Sequence, residues 1–466
     1  MSNEVDVVVV GLGPGGEAVA TQLAGAGLDV VGIDQRLVGG ECPYFGCIPS
    51  KMMIRGANLL AEGRRIPQLA GESTVTPDWG PVARRISEEA TTDWDDEVAV
   101  ERLEKAGVTF VRGTGRLTAP KTVEVGGQTL VARVGVVLNT GTEPAVPPID
   151  GLADTPYWTN RDAVQLTELP GSLMVIGGGA IGTELAQTFS RFGVSVTLVE
   201  VADRIVAPEE PEASKLLSGV FGREGIQVIT GAEITKVSYD EGSFSVVVGE
   251  QTVSADKLLV ATGRRMNLTG IGLENVGLDP EVPSLETDER MRVADGLWAI
   301  GDITGKGAFT HISMYQAGVA VRDIRGEQGP PADYRAVPRV TFTDPEIGSV
   351  GMTEQQARDA GINVRVGTTD LATAARGWIH GVGNDGLVKL VEDKDAGVLV
   401  GATAAGPSGG EILSMLTVAV HAKVPTDTLR SMIYAYPTFH RAVETALAET
   451  ALADTALADT VLADLG

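Results

Sequence analysis

The strongest constraint on how this chain folds is a pattern that it carries twice. An apolar run, Val7-Val8-Val9-Val10, leads into Gly11-Leu12-Gly13-Pro14-Gly15-Gly16, an alanine-rich stretch, a second apolar run at Val30-Val31-Gly32-Ile33, and Asp34. The order recurs from Leu173-Met174-Val175-Ile176 through Gly177-Gly178-Gly179-Ala180-Ile181-Gly182 to Val194-Ser195-Val196-Thr197-Leu198-Val199 and Glu200. In both copies the acidic residue stands 18 positions beyond the third glycine. Strand, glycine turn, helix and second strand in this order predict a dinucleotide-binding βαβ unit. Gly11 and Gly177 make the tight turn, and Gly13 and Gly179 let the backbone approach a pyrophosphate at a helix N-terminus. Gly16 and Gly182 let the helix pack against the strand, while Asp34 and Glu200 are placed to accept from a ribose hydroxyl. One such turn is weak evidence; two in complete βαβ settings predict two dinucleotide sites in one chain. A carboxylate at Glu200 repels a 2′-phosphate, so the second site is expected to prefer NADH over NADPH. Arg204, close behind it, is the one cation that could turn toward a 2′-phosphate and relax that preference.

Cys42 and Cys47 are the only cysteines in 466 residues. A structural disulfide would more often staple a small secreted domain, whereas this pair closes a tiny ring in a large chain. Two thiolates are half of a tetrahedral metal set, and no other Cys or His lies nearby to complete it. A redox-active dithiol fits better than either. The chain is too long for one core and predicts about three domains. Its net charge of −25 disfavours nucleic acid and anionic membranes as partners. No apolar run reaches the roughly 20 residues needed to cross a bilayer. The first strand starts at Val5, which leaves no room for a leader peptide, and a cytoplasmic location is expected.

The dithiol sits in Gly39-Gly40-Glu41-Cys42-Pro43-Tyr44-Phe45-Gly46-Cys47-Ile48-Pro49-Ser50-Lys51. With the two nucleotide motifs, and with Ala261-Thr262-Gly263-Arg264, Ala299-Ile300-Gly301-Asp302 and Phe342-Thr343-Asp344-Pro345-Glu346-Ile347-Gly348, the chain resembles the flavoprotein disulfide reductases nearly end to end. That resemblance implies FAD in the first site and NAD(P)H in the second. It makes Cys47 the thiol that meets the flavin and Cys42 the interchange thiol, both with thiolate character near a helix N-terminus. It pairs Lys51 with Glu184 beside the flavin, assigns Asp302 to the ribityl chain, and places Gly40, Thr140, Gly141 and Gly263 among the cofactor contacts. The helix starting near His311 is expected to point its amides at the flavin, with His311 itself in a packing or polar role.

The resemblance breaks near the C-terminus. Disulfide-reducing members carry His-Pro-Thr-x-x-Glu, with the histidine as acid/base; this chain reads Tyr436-Pro437-Thr438-Phe439-His440-Arg441. A phenol with an ordinary pKa of about 10 is a poor proton shuttle at neutral pH. His440, expected one helical turn after Tyr436, is a candidate replacement base. From Thr445 the tail repeats every five residues, which rotates its leucines around a helix and predicts fraying or disorder.

The expected fold is α/β, with two Rossmann-like dinucleotide-binding domains and a C-terminal α+β dimerisation domain. Expected boundaries are 1–149 with 266–338 for FAD, 150–265 for NAD(P)H, 339–448 for the interface domain of a homodimer, and 449–466 for the tail. In the expected cycle, electrons pass from NADH through the flavin to the Cys42–Cys47 disulfide and on to a small-molecule acceptor. A disulfide acceptor, as in dihydrolipoamide dehydrogenase, is the first reading. A quinone or soft metal ion, as in mercuric reductase, is the second, and a flavin redox sensor that does not turn over is the third.

Overall fold

The computed structural model describes residues 3–451. Two compact units divide the chain, each assembled from three stretches: residues up to 52, 81–145 and 263–334 in one, and 53–80, 146–262 and those from 335 onward in the other.

In the first unit β1 (Glu4–Val10), α1 (Pro14–Gly25) and β2 (Val30–Asp34) form the first repeated motif. β1 pairs in parallel with β2, Val7 opposite Val30, and with the strand Gln128–Leu138. Both faces of β1 are buried, which is why its apolar run does not alternate with polar residues. Val8 and Val10 pack with Leu117, Val123 and Leu130 on one side, and Val7 and Val9 with Leu12, Val19 and Leu23 on the other. Two helices then follow in sequence, the single turn α2 (Glu41–Tyr44) and the 23-residue α3 (Cys47–Leu69), which begins in the first unit and ends in the second. The helix Thr310–Ile324 crosses α1 at Gly15, where a Cβ would lie 2.1 Å from the Ser313 hydroxyl.

The second unit holds the second motif: β3 (Ser172–Ile176), α4 (Ala180–Arg191) and β4 (Ser195–Glu200). β3 lies between β4 and the strand Lys257–Val260 in a parallel four-stranded sheet. A three-stranded antiparallel sheet covers its apolar face, with Val237, Phe244 and Val246 packed against Met174, Ile176 and Val199. The C-terminal part is a five-stranded antiparallel sheet. The helix Gly409–His421 buries Ile412, Leu413, Leu416 and Val420 with Val388, Leu390 and Leu399 of that sheet. Lys389 is buried in this unit, and its ammonium meets Glu210 at 3.0 Å, Glu212 at 2.8 Å and Glu354 at 2.9 Å. A charge this deep persists because it is paired on several sides.

The observed class is the expected one, two Rossmann-like units and a C-terminal α+β part. The tail departs from expectation where it is described: residues 442–451 are helical, with Ala446, Leu447 and Thr450 buried. Ala446 and Leu447 join the C-terminal core and Thr450 accepts from Arg430 at 2.7 Å, so tertiary packing overrides the five-residue period. The later repeats lie outside the described residues. Among the described residues no helix is long and apolar enough to cross a membrane.

Candidate active site

The two glycine turns have the same geometry. Gly11 and Gly177 take φ of 93° and 107°, a region open to glycine, and each amide donates to the strand behind it, to Ile33 and Val199. A Cβ on Gly16 would stand 2.0 Å from the Gly11 carbonyl, and one on Gly182 would stand 1.9 Å from that of Gly177. In contrast, a Cβ on Gly179 would meet nothing within 4 Å, and one on Gly13 only the Asn139 amide nitrogen at 3.4 Å. The close contacts seat each helix, and the open faces leave room for a pyrophosphate at the N-termini of α1 and α4. Asp34 accepts from the amides of Leu12 at 2.7 Å and Arg36 at 2.8 Å; Glu200 accepts from Gly178 at 2.6 Å and Ala202 at 2.8 Å. Both turns therefore fit a dinucleotide, each with a carboxylate fixed at its rim. Arg204 does not swing toward that rim, because its guanidinium donates to the Glu209 carbonyl at 2.8 Å and the Ala207 carbonyl at 2.5 Å.

The redox loop rests on the first turn. Gly40 sits so close that a Cβ there would stand 3.0 Å from the Gly13 Cα. Cys42 lies on α2 and Cys47 is the first residue of α3; both are half-buried free thiols. Thr310 Oγ1, at the start of its own helix, is 3.4 Å from Cys47 Sγ. The Cys42 thiol hydrogen-bonds to the Cys47 sulfur, and this outweighs burial; with the Thr310 hydroxyl and the Lys51 charge it draws Cys47 down to about 6. The same hydrogen bond, with burial, pushes the Cys42 thiol up. This corrects the expectation of thiolate character on both sulfurs. The two thiols titrate as one pair, in which the Thr310 hydroxyl and the Lys51 charge beside Cys47 favour the anion on that side. Lys51 follows Cys47 by one turn of α3, and its Nζ donates to Ser50 Oγ at 3.3 Å.

Around this loop the first unit gathers the other expected contacts. Thr140 and Asn267 bond reciprocally, hydroxyl to carbonyl at 2.8 Å and amide to carbonyl at 3.0 Å, and the Gly141 carbonyl accepts from Asn267 N. Asp302 accepts from the Thr142 hydroxyl at 2.6 Å, which accepts from Arg264 Nε at 2.6 Å, while Arg264 lies 3.5 Å from Glu41 of α2. Gly263 takes φ 119°, and its carbonyl accepts from Ala145 N. His311 is exposed and stacks on Phe309, with ring centroids 5.1 Å apart, in keeping with a packing role.

In the second unit one face of α4 binds the Phe342–Asp344 segment turn by turn. Glu184 accepts from Phe342 N at 2.8 Å, and Gln187 both accepts from Asp344 N and donates to its carbonyl. Arg191, 3% exposed, meets Glu224 at 2.6 Å, Asp344 at 2.8 Å and the Asn58 side chain of α3 at 2.6 Å.

Tyr436 and His440 also lie in the second unit. They are not one helical turn apart: Tyr436 is in a turn, and His440 is in the short 3-10 segment Phe439–Arg441. Tyr436 is 70% exposed, with the Arg441 guanidinium over its ring at 5.4 Å. The His440 ring nitrogen is 3.4 Å from the Thr438 hydroxyl. Sequence reasoning missed Thr310, Thr142, Asn139, Asn267 and Arg191. Asn139 donates to the Gly11 carbonyl at 3.2 Å and accepts from Ser313, which ties the first turn to the Thr310–Ile324 helix. None of these has a motif of its own; each acts through a partner far along the chain.

The family model for pyridine nucleotide-disulphide oxidoreductases matches residues 5–319, and that for the pyridine nucleotide-disulphide oxidoreductase dimerisation domain matches residues 337–447. A dihydrolipoyl dehydrogenase from Bacillus subtilis (strain 168) is 33% identical, over 96% of this chain and 98% of that protein. A mercuric reductase from Staphylococcus aureus is 30% identical, over 95% of this chain and 82% of that protein. Among solved structures, the Cu(II) complex of the HOCl-induced flavoprotein disulfide reductase RclA from Escherichia coli superposes with a TM-score of 0.83 at 26% identity, over 96% of this chain and 99% of that one. LpdA from Mycobacterium tuberculosis gives 0.83 at 25% identity, over 95% and 99%.

Proposed function

The chain belongs to the pyridine nucleotide-disulphide oxidoreductases, FAD-dependent enzymes that use NAD(P)H, and from that membership we propose that it is an NADH-dependent reductase working through Cys42 and Cys47. The observation that carries this reading is the placement of the pair, with Cys47 at the first residue of α3, its sulfur 3.4 Å from the Thr310 hydroxyl at another helix start, and Cys42 on the loop that rests on the first glycine turn. Bound FAD supplies the two-electron step between nicotinamide and disulfide. The first glycine turn, Asp34, Gly40, Thr140, Gly141, Gly263 and Asp302 are assigned to hold it, and Gly177, Gly179, Gly182 and Glu200 to hold NADH. Lys51, whose charge favours the Cys47 thiolate, and Glu184, fixed by the Phe342 amide, are assigned to the reductive step.

Reduction of the disulfide takes up two electrons and one proton, leaving Cys42 as thiol and Cys47 as thiolate. Once a base removes its proton, Cys42 attacks an acceptor disulfide, forming a mixed disulfide and expelling one thiolate. The Cys47 thiolate then attacks the Cys42 sulfur, expelling the second acceptor sulfur as a thiolate, which takes back the proton held by the base, and restoring the internal disulfide. The dimerisation-domain match supports a homodimer, and a cytoplasmic location suits a dithiol that must be kept reducible.

A second reading, reduction of a quinone or soft metal ion with the dithiol as relay, is favoured by Tyr436 and Arg441 standing where a histidine and a glutamate belong in disulfide-reducing relatives. Arg441 covers the Tyr436 ring and pairs with Glu444 at 2.9 Å, so neither of these two positions offers an imidazole to take the Cys42 proton. Anaerobic NADH titration tests the shared core: a long-wavelength thiolate-to-flavin absorbance is expected to develop in wild type and to be absent in Cys47→Ser, whereas Cys42→Ser, which has no disulfide to reduce, should show it before NADH is added. Acceptor assays with lipoamide, menadione and mercuric ion then separate the readings. Disulfide turnover that requires Cys42 supports the first; turnover of the other two acceptors alone supports the second.

A further inference from the structure

Three consecutive residues that carry side chains, Thr92, Asp93 and Trp94, hold left-handed backbone with φ of 49°, 53° and 59°. Such runs are rare because Cβ crowds the following carbonyl, most of all at a β-branched residue such as Thr92. The turn is held by its surroundings. Asp93 N donates to the Ser87 carbonyl at 2.7 Å and the Asp93 carboxylate accepts from the Ser87 hydroxyl. Trp94 N reaches Thr91 Oγ1 at 3.4 Å, and that hydroxyl donates to the Ile86 carbonyl at 2.9 Å. Strain kept this way is a reason to look for a task.

The turn aims two side chains at the redox loop. Trp94 Nε1 donates to the carbonyl of Tyr44, the last residue of α2, at 3.2 Å. Buried Asp96 accepts from the amide of Val38 at 2.6 Å and is itself held by Arg112 at 2.6 Å. Val38 and Tyr44 bracket Gly39 to Pro43, the stretch that contains Cys42. Both grips are on backbone atoms, so they fix the path of the loop whatever its side chains.

We propose that the segment Thr91–Asp96 is a clamp on the redox loop, in which Trp94 and Asp96 are positioning residues that hold the Cys42 thiol on the Cys47 sulfur. The proposal rests on the dithiol reading above. Cys47 faces three groups from three elements: the Cys42 thiol on α2, the Lys51 ammonium on α3 and the Thr310 hydroxyl on the Thr310–Ile324 helix. Of these three, Cys42 alone rides on the gripped loop. Loosening the clamp moves the Cys42 thiol away from the Cys47 sulfur and leaves the other two groups in place.

The test is the pH dependence of the long-wavelength thiolate-to-flavin absorbance of the FAD-bound enzyme, reduced anaerobically with NADH, in wild type, Trp94→Phe and Asp96→Asn. Phe keeps an aromatic ring at the site and removes the indole N–H with the pyrrole half of the ring, which makes it the milder variant if Asp96→Asn fails to accumulate. Each variant is expected to raise the midpoint by about half a pH unit, which is roughly a threefold loss of thiolate below both midpoints. Melting temperature should barely move in Trp94→Phe. A role confined to stability would lower the melting temperature and leave the midpoint alone, and that result overturns the clamp. A wild type with no such absorbance sinks the dithiol reading itself, whereas a wild type that has it beside a Trp94→Phe midpoint that has not moved sinks the clamp alone.

Discussion

Cys47 Sγ and Thr310 Oγ1 are 3.4 Å apart, and each belongs to the first residue of a long helix. Two positive helix ends thus meet at one sulfur, which favours its anion beyond what a single hydroxyl would do. Cys47 ionises above about 6, so the thiolate-to-flavin absorbance of the reduced enzyme should be near full strength at pH 8 and fall away as the pH drops through about 6. Thr310→Val removes the hydroxyl and keeps the shape. A spectrophotometric titration should place its midpoint about one pH unit higher, the size of one hydrogen bond to a charged group.

Glu200 should govern the choice of nicotinamide cofactor. Its carboxylate is fixed by the Gly178 and Ala202 amides, and Arg204 is committed to two carbonyls, so Arg204 does not offset its charge toward a 2′-phosphate. Steady-state kcat/KM for NADH should exceed that for NADPH about tenfold or more. Glu200→Gln, which keeps one acceptor and removes the charge, should narrow the ratio severalfold. An unchanged ratio would show that discrimination lies elsewhere.

Arg191 should be among the costliest charged residues to replace. It is 3% exposed and meets the half-buried Glu224 and Asp344, so Arg191→Gln leaves Glu224 without its arginine and Asp344 with Arg65 alone, a loss of about 3 kcal/mol. Burial pushes the Asp344 carboxyl up, but Arg191 and Arg65 outweigh it and hold the group below its ordinary 3.8. Its contribution is complete above pH 3.8 and lost as the pH falls through its folded value. In Arg191→Gln the acid-unfolding transition, followed by circular dichroism, should therefore begin at a higher pH than in wild type.

Restoring an imidazole should change the acceptor range. Tyr436→His with Arg441→Glu recreates the histidine and glutamate that disulfide-reducing relatives carry at these positions. Lipoamide turnover should rise at least about tenfold, the lower part of what general acid–base catalysis contributes, and should acquire a dependence on pH near 6.5. Unchanged turnover would mean that proton transfer to Cys42 does not limit this enzyme.

Much of this was legible before any coordinates. The glycine spacing announced two βαβ units because a nucleotide turn needs glycine for backbone reasons that survive in any context, and the cysteine pair announced redox chemistry because a staple and a metal site both fit two lone thiols five apart less well. What stayed hidden works through tertiary proximity. Nothing near Thr310 or Trp94 in sequence reveals that each hydrogen-bonds to the redox loop or its helix, and Arg191 reads as an ordinary helix-end arginine until Asp344 is brought to it. The unequal thiols were missed because a shared proton belongs to the pair and not to either residue. At the C-terminus local periodicity misled twice: the Tyr436 turn breaks the expected helical spacing, and packing of Ala446 and Leu447 orders the start of the repeat.

The interleaving of the two units sets an order of assembly on the ribosome. The sheet around β3 has all its strands once residue 260 has been made, whereas the sheet around β1 still lacks Leu297–Ala299, which pairs with Gln128–Leu138. Because domains fold as units during synthesis, the sheet that starts first must wait while the four-stranded sheet encoded between its strands is made. The glycine turn emerging earliest from the exit tunnel belongs to the sheet that is completed later.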